Sequence, residues 1–253
     1  MTRFEGKCKR PDAYKYKSVA TIIKESKDIV QRASERKAIA YGLYGKKRIY
    51  LEGILANIKM AQKYLSSWDV VVYVDEESVP KEYIDEMKAL GAKVKLGKYA
   101  HMFARFYIAD APEYDRFIVR DSDSRFYPRE IAAIADWMDT DWAILHGMRD
   151  AASAEMPLQG GMWGAISKPL REKLKAKWKT EKMEDLAKEY MGDRKMVWND
   201  DQIFLAKYVV EAVGFDHFLS HETIHCDEYP GSRGFPIPKG PSDIHIGTRV
   251  QPD

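Results

Sequence analysis

The chain is short of cysteine, of long apolar runs and of charge of one sign, and each shortage removes a class of protein. Only two cysteines occur in 253 residues, Cys8 and Cys226, near opposite ends. They form no metal-ligand pattern, and reduced thiols in a cytoplasmic protein are the expected state. Forty-one Lys and Arg nearly cancel 39 Asp and Glu, so no global field attracts nucleic acid or an anionic membrane. Any affinity for phosphate has to be local. No segment approaches the ~20 apolar residues of a transmembrane helix. The start, Met1 to Lys7, lacks the apolar core of a signal peptide. Internal repeats and low-complexity tracts are also absent. So are the glycine fingerprints of nucleotide folds: Gly42-Leu43-Tyr44-Gly45 is followed by Lys46-Lys47-Arg48, which is neither a dinucleotide loop nor a Walker loop. The expectation is a soluble, cytoplasmic protein with no nucleic-acid partner.

What is present is a regular alternation of strands and helices. A hydrophobic content of 45% is enough for one large core, alone or with a small appendage. Residues 1–36 stand apart, rich in Lys and Glu, with helical spacing at Val19, Ile22, Ile23, Ile29 and Val30; they read as a helical extension. A domain spanning 37–253 follows. Its strands are expected at 38–44, 70–74, 92–96 and 116–119. Helices are expected at 50–65, from Pro80 to Gly91, around 102–110 and at 129–138. Alternation at this spacing means an α/β fold, a mainly parallel sheet flanked by helices. Beyond Asp141 the pattern is mixed. A strand is expected at 142–145, a tight loop at 160–164, a polar helix from Pro169 to Tyr190 and a helix from Asp201 to Val213. Loop with short strands occupies the last forty residues.

The most informative segment is Arg120-Asp121-Ser122-Asp123-Ser124-Arg125. It follows the apolar run Arg116-Phe117-Ile118-Val119, so both carboxylates fall at the C-terminal edge of the sheet, where ligands of open α/β folds bind. Two such oxygens can hold a hard divalent cation, and that cation can hold the phosphates of a nucleotide. Four further segments carry candidate chemistry. His101 and Arg105 lie one helical turn apart, and Arg105, set among Met102, Phe103, Phe106 and Ile108, needs an anionic or carbonyl partner. Gln159-Gly160-Gly161-Met162-Trp163-Gly164 joins glycines, which admit close backbone approach, to an indole plane suited to a sugar face, or else is a structural turn with a core Trp. Asn199-Asp200-Asp201-Gln202 opens a helix with acids. His245-Ile246-Gly247-Thr248-Arg249 offers an imidazole and a cation.

Taken in order, these segments resemble nucleotide-sugar glycosyltransferases of the GT-A fold, most closely short soluble members carrying R-D-S-D-S-R, G-G-M-W-G, D-Q and a terminal H-x-G. The likeness runs from Lys37 to Arg249. It implies that Leu43 and Tyr44 meet the nucleobase and that Arg105 contributes to the nucleotide pocket. Asp121 and Ser122 would sit by the donor, with Asp121, Asp123 and His245 as metal ligands. Gly160, Gly161 and Trp163 would border the donor sugar and acceptor, Asp201 would face the acceptor hydroxyl, and Arg249 would touch the diphosphate. The implied cofactor is Mn²⁺, with Mg²⁺ as the alternative. The implied partners are a UDP- or GDP-sugar donor and a glycan acceptor. The chain departs from the longer H-x-x-G-x-x-K-P-W ending of some retaining families at His245 and Arg249. Inversion with Asp201 as general base is the expectation, and retention with Asp201 orienting sugar hydroxyls is the alternative. Two rivals stay open: a nucleotidyltransferase or other Mg²⁺- or Mn²⁺-dependent phosphate-handling enzyme, and a non-catalytic nucleotide-sugar binding module.

Overall fold

Side-chain alternation along the strands decides the layering. In β1 (Lys37–Leu43), Ile39, Tyr41 and Leu43 enter one apolar cluster while Ala38 and Ala40 enter another. In β2 (Trp68–Asp75) Val70, Val72 and Val74 point one way, Val71 and Tyr73 the other. Strands apolar on both faces belong between two layers of helices. The computed structural model describes residues 8–99, 101–240 and 244–251; the stretch Met1 to Lys7, read above for a leader, lies outside them.

An eight-stranded sheet results, in the order β3-β2-β1-β4-β6-β5-β7-β8. Its remaining strands are β3 (Lys93–Gly97), β4 (Arg116–Arg120), β5 (Leu145–Arg149), β6 (Met162–Ile166), β7 (Phe218–Glu222) and β8 (Ser232–Gly234). Neighbours are parallel except at β6, which runs antiparallel to both β4 and β5. One face is covered by α2 (Arg48–Tyr64), α3 (Lys81–Ala89) and α4 (Pro128–Met138), through residues such as Ile54, Ile58, Met87, Ile134 and Trp137. The other is covered by a 3-10 segment (Met102–Asp110), α5 (Ser167–Trp178), α6 (Met183–Met191) and α7 (Asp200–Phe204), through Phe103, Phe106, Leu170, Leu186 and Phe204. Before the sheet begins, α1 (Val19–Val30) is capped by Ser18, whose Oγ accepts from the Thr21 amide at 3.1 Å. It packs on α4, burying Ile22 with Tyr14, Ala132 and Ile237.

Several expectations need correcting. The 160–164 stretch is no simple loop: from Met162 onward it is β6, because the chain must fill the gap between the open edges of β4 and β5. The strand expected at 142–145 begins later, as β5, in register with β7. The single polar helix expected from Pro169 to Tyr190 is two. α5 stops where Lys179 turns left-handed (φ 66°), and α6 restarts because the Asp110 carboxylate accepts from the Met183 and Glu184 amides at 2.6 and 3.0 Å. The helix expected from Asp201 begins at Asp200 and passes through π-helical turns over Leu205–Val210.

The cysteine expectation also fails. Cys8 and Cys226 form a disulfide, with Cα atoms 4.9 Å apart across 218 residues of sequence. The N-terminal segment runs beside β8, where the Gly234 amide donates to the Lys9 carbonyl at 2.8 Å and Arg10 Nε to the Pro236 carbonyl at 2.6 Å. That pairing meets thiols which linear distance makes look unrelated, and it removes the premise of reduced cysteines behind the cytoplasmic expectation. Among the described residues no helix is long and apolar enough to cross a membrane.

Candidate active site

The C-terminal ends of β1, β4 and β5, the start of antiparallel β6, the start of α7 and the segment 245–249 converge on one cleft of ≈ 490 Å³. It lies at the sheet edge where open α/β folds bind ligands. Four carboxylates line it, Asp121, Asp123, Asp150 and Asp201, against the guanidinium groups of Arg105 and Arg249.

At the centre is Arg105. The 3-10 segment that carries it packs across β1, with the Arg105 amide nitrogen 3.5 Å from where a Cβ on Gly42 would stand. The buried guanidinium donates through Nε to the Gly160 carbonyl at 3.0 Å and through Nη2 to Asp201 Oδ2 at 2.7 Å. Asp121 Oδ1 stands 3.3 Å from the same Nη2. The partners its apolar neighbours demanded are therefore two acids and a carbonyl.

Glycine at 160 and 161 makes this convergence possible. A Cβ at Gly160 would stand 2.7 Å from Arg105 Nη2 and 2.8 Å from Asp201 Cγ. One at Gly161 would stand 2.7 Å from Asp121 Oδ1. Both carboxylates occupy space that any side chain there would take.

The paired acids of the β4 loop have different surroundings. Asp121 is partly open, its side chain 41% exposed, whereas that of Asp123 is 11% exposed and accepts from Arg249 Nε at 2.8 Å. Between them Ser122 is buried and its carbonyl accepts from Asn57 Nδ2 at 3.1 Å. The loop is braced from beneath by Arg120, which pairs with buried Glu130 at 3.0 Å and donates to Ser124 Oγ at 3.2 Å.

Asp200 and Asp201 part company. Asp200 turns away, accepting from Arg194 at 2.8 and 3.1 Å, the Tyr190 hydroxyl at 3.2 Å and the Val197 amide at 2.7 Å. Asp201 alone enters the cleft. Burial, the largest effect, pushes its carboxyl above the usual Asp range; Arg105 opposes this and Asp121 reinforces it.

Leu43, Tyr44, Arg105, Asp121, Ser122, Asp123, Gly160, Gly161, Asp201, His245 and Arg249 all line this one cleft. Trp163 does not. It is enclosed between Phe106 and Phe117, ring centroids 5.5 and 5.3 Å away, because alternation along β6 turns Met162 to the cleft and Trp163 to the core. His101 leans on Tyr107 (5.8 Å between ring centroids) and is not part of the lining.

As a metal site the donors fit in part. Asp121 and Asp123 offer carboxylate oxygens on one loop, the donor type that a hard divalent ion takes. His245 lines the same cleft, and its Nδ1 lies 2.6 Å from the Asp150 carbonyl, a bond of the kind that leaves Nε2 as the nitrogen a metal would use. Among the described residues no three of His, Cys, Asp and Glu are gathered into a ready cage. An ion would rest on the two aspartates and complete its shell from ligand and water.

Residues missed in sequence are Asp150 and Trp198. Buried Asp150 pairs with Arg129 at 2.7 Å and accepts from the Ile246 amide at 2.8 Å, which fixes the 245–249 segment over the cleft. Trp198 lines the cleft and is 85% exposed. The sequence signal was an aromatic set directly before the helix-opening acids.

No protein-family model matches the chain, and no curated protein does. Solved structures do. The glycosyltransferase GlyE of Streptococcus pneumoniae TIGR4 matches at TM-score 0.50 and 16% identity, over 74% of this chain and 45% of its own. The chain has the GT-A fold. It spans less than half of the pneumococcal enzyme, and at that identity the likeness speaks for fold alone. Mannosyltransferase PcManGT of Pyrobaculum calidifontis matches at TM-score 0.42 and 13% identity, over 68% of this chain and 59% of its own. Glucosyl-3-phosphoglycerate synthase of Mycobacterium tuberculosis matches at 0.44 and 12%, over 65% and 66%.

Proposed function

We propose that the protein is a metal-dependent glycosyltransferase that moves a sugar from a nucleoside-diphosphate donor, a UDP- or GDP-sugar, to a glycan or other hydroxyl acceptor with inversion. The observation that carries this reading is the pair of acids on one loop, Asp121 and Asp123, beside Asp201, Arg105 and Arg249 at the ligand-binding edge of a GT-A sheet, with Asp150 already neutralised by Arg129. Three carboxylates against two guanidiniums leave a bare diphosphate unattracted there. With a divalent ion on Asp121 and Asp123 the same cleft accepts it, and the ion supplies the charge that steadies a diphosphate leaving group.

The chain's own residues would divide the remaining tasks. Tyr44 and Leu43, at the end of β1, border the nucleobase. Arg105 orients the donor and fixes the Asp201 carboxylate. Arg249, now on Asp123, is within the cleft to meet phosphate oxygens. Asp201 takes the proton from the acceptor hydroxyl as it attacks, a role favoured by a carboxyl that burial makes more basic.

A thermal-shift titration of UDP and GDP with and without Mn²⁺ tests the reading. One nucleotide should raise Tm only with the ion, and Asp123→Ala should abolish that rise while the apo Tm stays within a few degrees. Nucleotide binding indifferent to chelator, or unchanged in the variant, would overturn it.

A further inference from the structure

Four aromatic side chains at or beside the cleft could offer a flat face to a sugar, and burial and partners separate them. Tyr50 is half-buried, with Arg249 Nη2 donating to its hydroxyl at 3.4 Å. Trp163 is 1% exposed and belongs to the core. Tyr44 stands at the end of β1, the side assigned to the nucleobase. Trp198 is 85% exposed, lines the cleft, and lies three residues before Asp201.

Its exposure is a held exposure. The preceding residue, Val197, donates its amide to Asp200 Oδ2 at 2.7 Å, and Asp200 is itself gripped by Arg194 and Tyr190. The following residue, Asn199, is left-handed (φ 71°), and its Oδ1 accepts from Gln202 Nε2 at 2.8 Å. The Asp200 carboxylate holds the backbone before the indole and a side-chain bond between Asn199 and Gln202 follows it, while the ring itself stays out of the core. An exposed indole forgoes the free energy of burying its apolar area, and the bonds flanking Trp198 hold the loop in that arrangement.

From this geometry we infer that Trp198 is the platform on which the carbohydrate acceptor stacks, presenting one hydroxyl to Asp201. A pyranose has an apolar C–H face and a polar rim. The indole covers the first and leaves the second free, while Asn199, Gln202 and Gln159 on the same cleft supply polar groups for the rim. The identity of the reacting hydroxyl rests on the transferase reading above; the stacking itself does not.

The experiment uses the whole chain with p-nitrophenyl glucoside, galactoside and mannoside as probes. N-bromosuccinimide oxidation of Trp198, followed by peptide mass spectrometry, should slow at least threefold with one of these glycosides, in the presence or absence of nucleotide. In transfer assays Trp198→Ala should raise the acceptor KM at least tenfold with a smaller change in kcat, and Trp198→Phe should recover part of it. The nucleotide-dependent Tm rise should be the same in all three proteins. Oxidation at one rate with and without every glycoside, or an acceptor KM unchanged in Trp198→Ala, would overturn the inference. Failure of the transferase reading looks different: no nucleotide-dependent Tm rise in the wild type, with Trp198 still protected by a glycoside.

Discussion

The two halves of the sheet differ in where buried polar groups lie. On the β3-β2-β1-β4 side, aliphatic side chains such as Ile39, Val70, Val72 and Ile118 pack on Ile54, Ile58 and Ile134, and buried charge lies at strand ends, as at Lys37, Arg116 and the Arg120–Glu130 pair. On the β6-β5-β7-β8 side, charged and polar side chains run through the interior of the layer. Arg149, fully enclosed, pairs with Glu222 at 2.7 Å and Glu228 at 2.8 Å. His146 meets His221 at 2.8 Å, His221 meets Asp136 at 2.9 Å, and Arg233 closes the chain on Asp136 at 2.6 Å. An aliphatic layer tolerates small adjustments, whereas ion pairs in a dry interior demand fixed geometry. The cleft lies on the seam. It draws Asp121 and Asp123 from the aliphatic half, and Gly160, Asp150 and the Arg105 partner Asp201 from the polar half or beyond it. The lesson is that the first half provides the edge common to α/β sheets, while the second orients groups upon it.

The largest effect should come from the seam itself. Asp201→Asn keeps the size and removes the basicity, so transfer should fall by roughly 10²–10⁴ with nucleotide binding intact. Asp200→Asn should instead raise the acceptor KM with little change in kcat, because Asp200 holds the loop carrying Trp198. Steady-state kinetics of both variants separate the roles. Equal losses in kcat would erase the distinction between the two acids.

Next in size is the contrast between the halves. Arg149→Met leaves Glu222 and Glu228 without their cation, and should cost about 3–5 kcal/mol, as for other broken buried pairs. Ile39→Val in the aliphatic half should cost about 0.5–1.5 kcal/mol. Urea unfolding of the two variants measures the difference. Adding Glu222→Leu to Arg149→Met should recover part of the loss; no recovery would mean that the pair is not what holds β5 to β7.

The same division explains what was legible in sequence. Strands β1 to β4 fall within two residues of their expected positions, because apolar periodicity is a local signal and this half is built from it. The D-x-D acids at the sheet edge and the need of Arg105 for partners are also local facts. The polar half is specified by pairs far apart in sequence, Arg149 with Glu222 or Arg129 with Asp150, and no window of ten residues reveals them. Trp163 was readable as a sugar platform only while Gly160 to Gly164 was taken as a loop. Once that stretch is a strand, alternation sends the ring inward. Trp198 stands beside acids that are legible in sequence, but its exposure goes with Asp200 turning back onto Val197, which no local pattern shows.

A smaller effect tests how the ends are joined. The Cys8–Cys226 disulfide closes 218 residues of chain, so Cys226→Ser should lower stability by about 2–4 kcal/mol. Dithiothreitol should lower the wild type by the same amount and leave the variant unchanged. A wild type indifferent to reductant would show that packing of 9–10 against 234–236 suffices without the bond.

The smallest effect concerns the junction behind Arg105, where one carboxylate serves both halves. Asp110 ends the 3-10 segment and caps α6 through two backbone amides. Burial is the main cause that raises its carboxyl to about 6, with nearby Glu184 and Asp185 adding to the rise and the two amide bonds opposing it. A folded-state value above the unfolded one means that the native chain binds the extra proton. This group's contribution is therefore complete below about pH 4 and is lost as pH rises through about 6. A shift of about two units corresponds to at most about 3 kcal/mol, less in practice because the group is partly exposed. Asp110→Asn cannot titrate, so its stability relative to wild type should improve steadily from pH 4 to pH 7 in urea unfolding. The α6 cap survives through one amide oxygen, which keeps the comparison interpretable. A wild-type minus variant difference that is flat over this range, or that grows with pH, would show that the cap holds its charge at no cost and that the junction is not pH-sensitive.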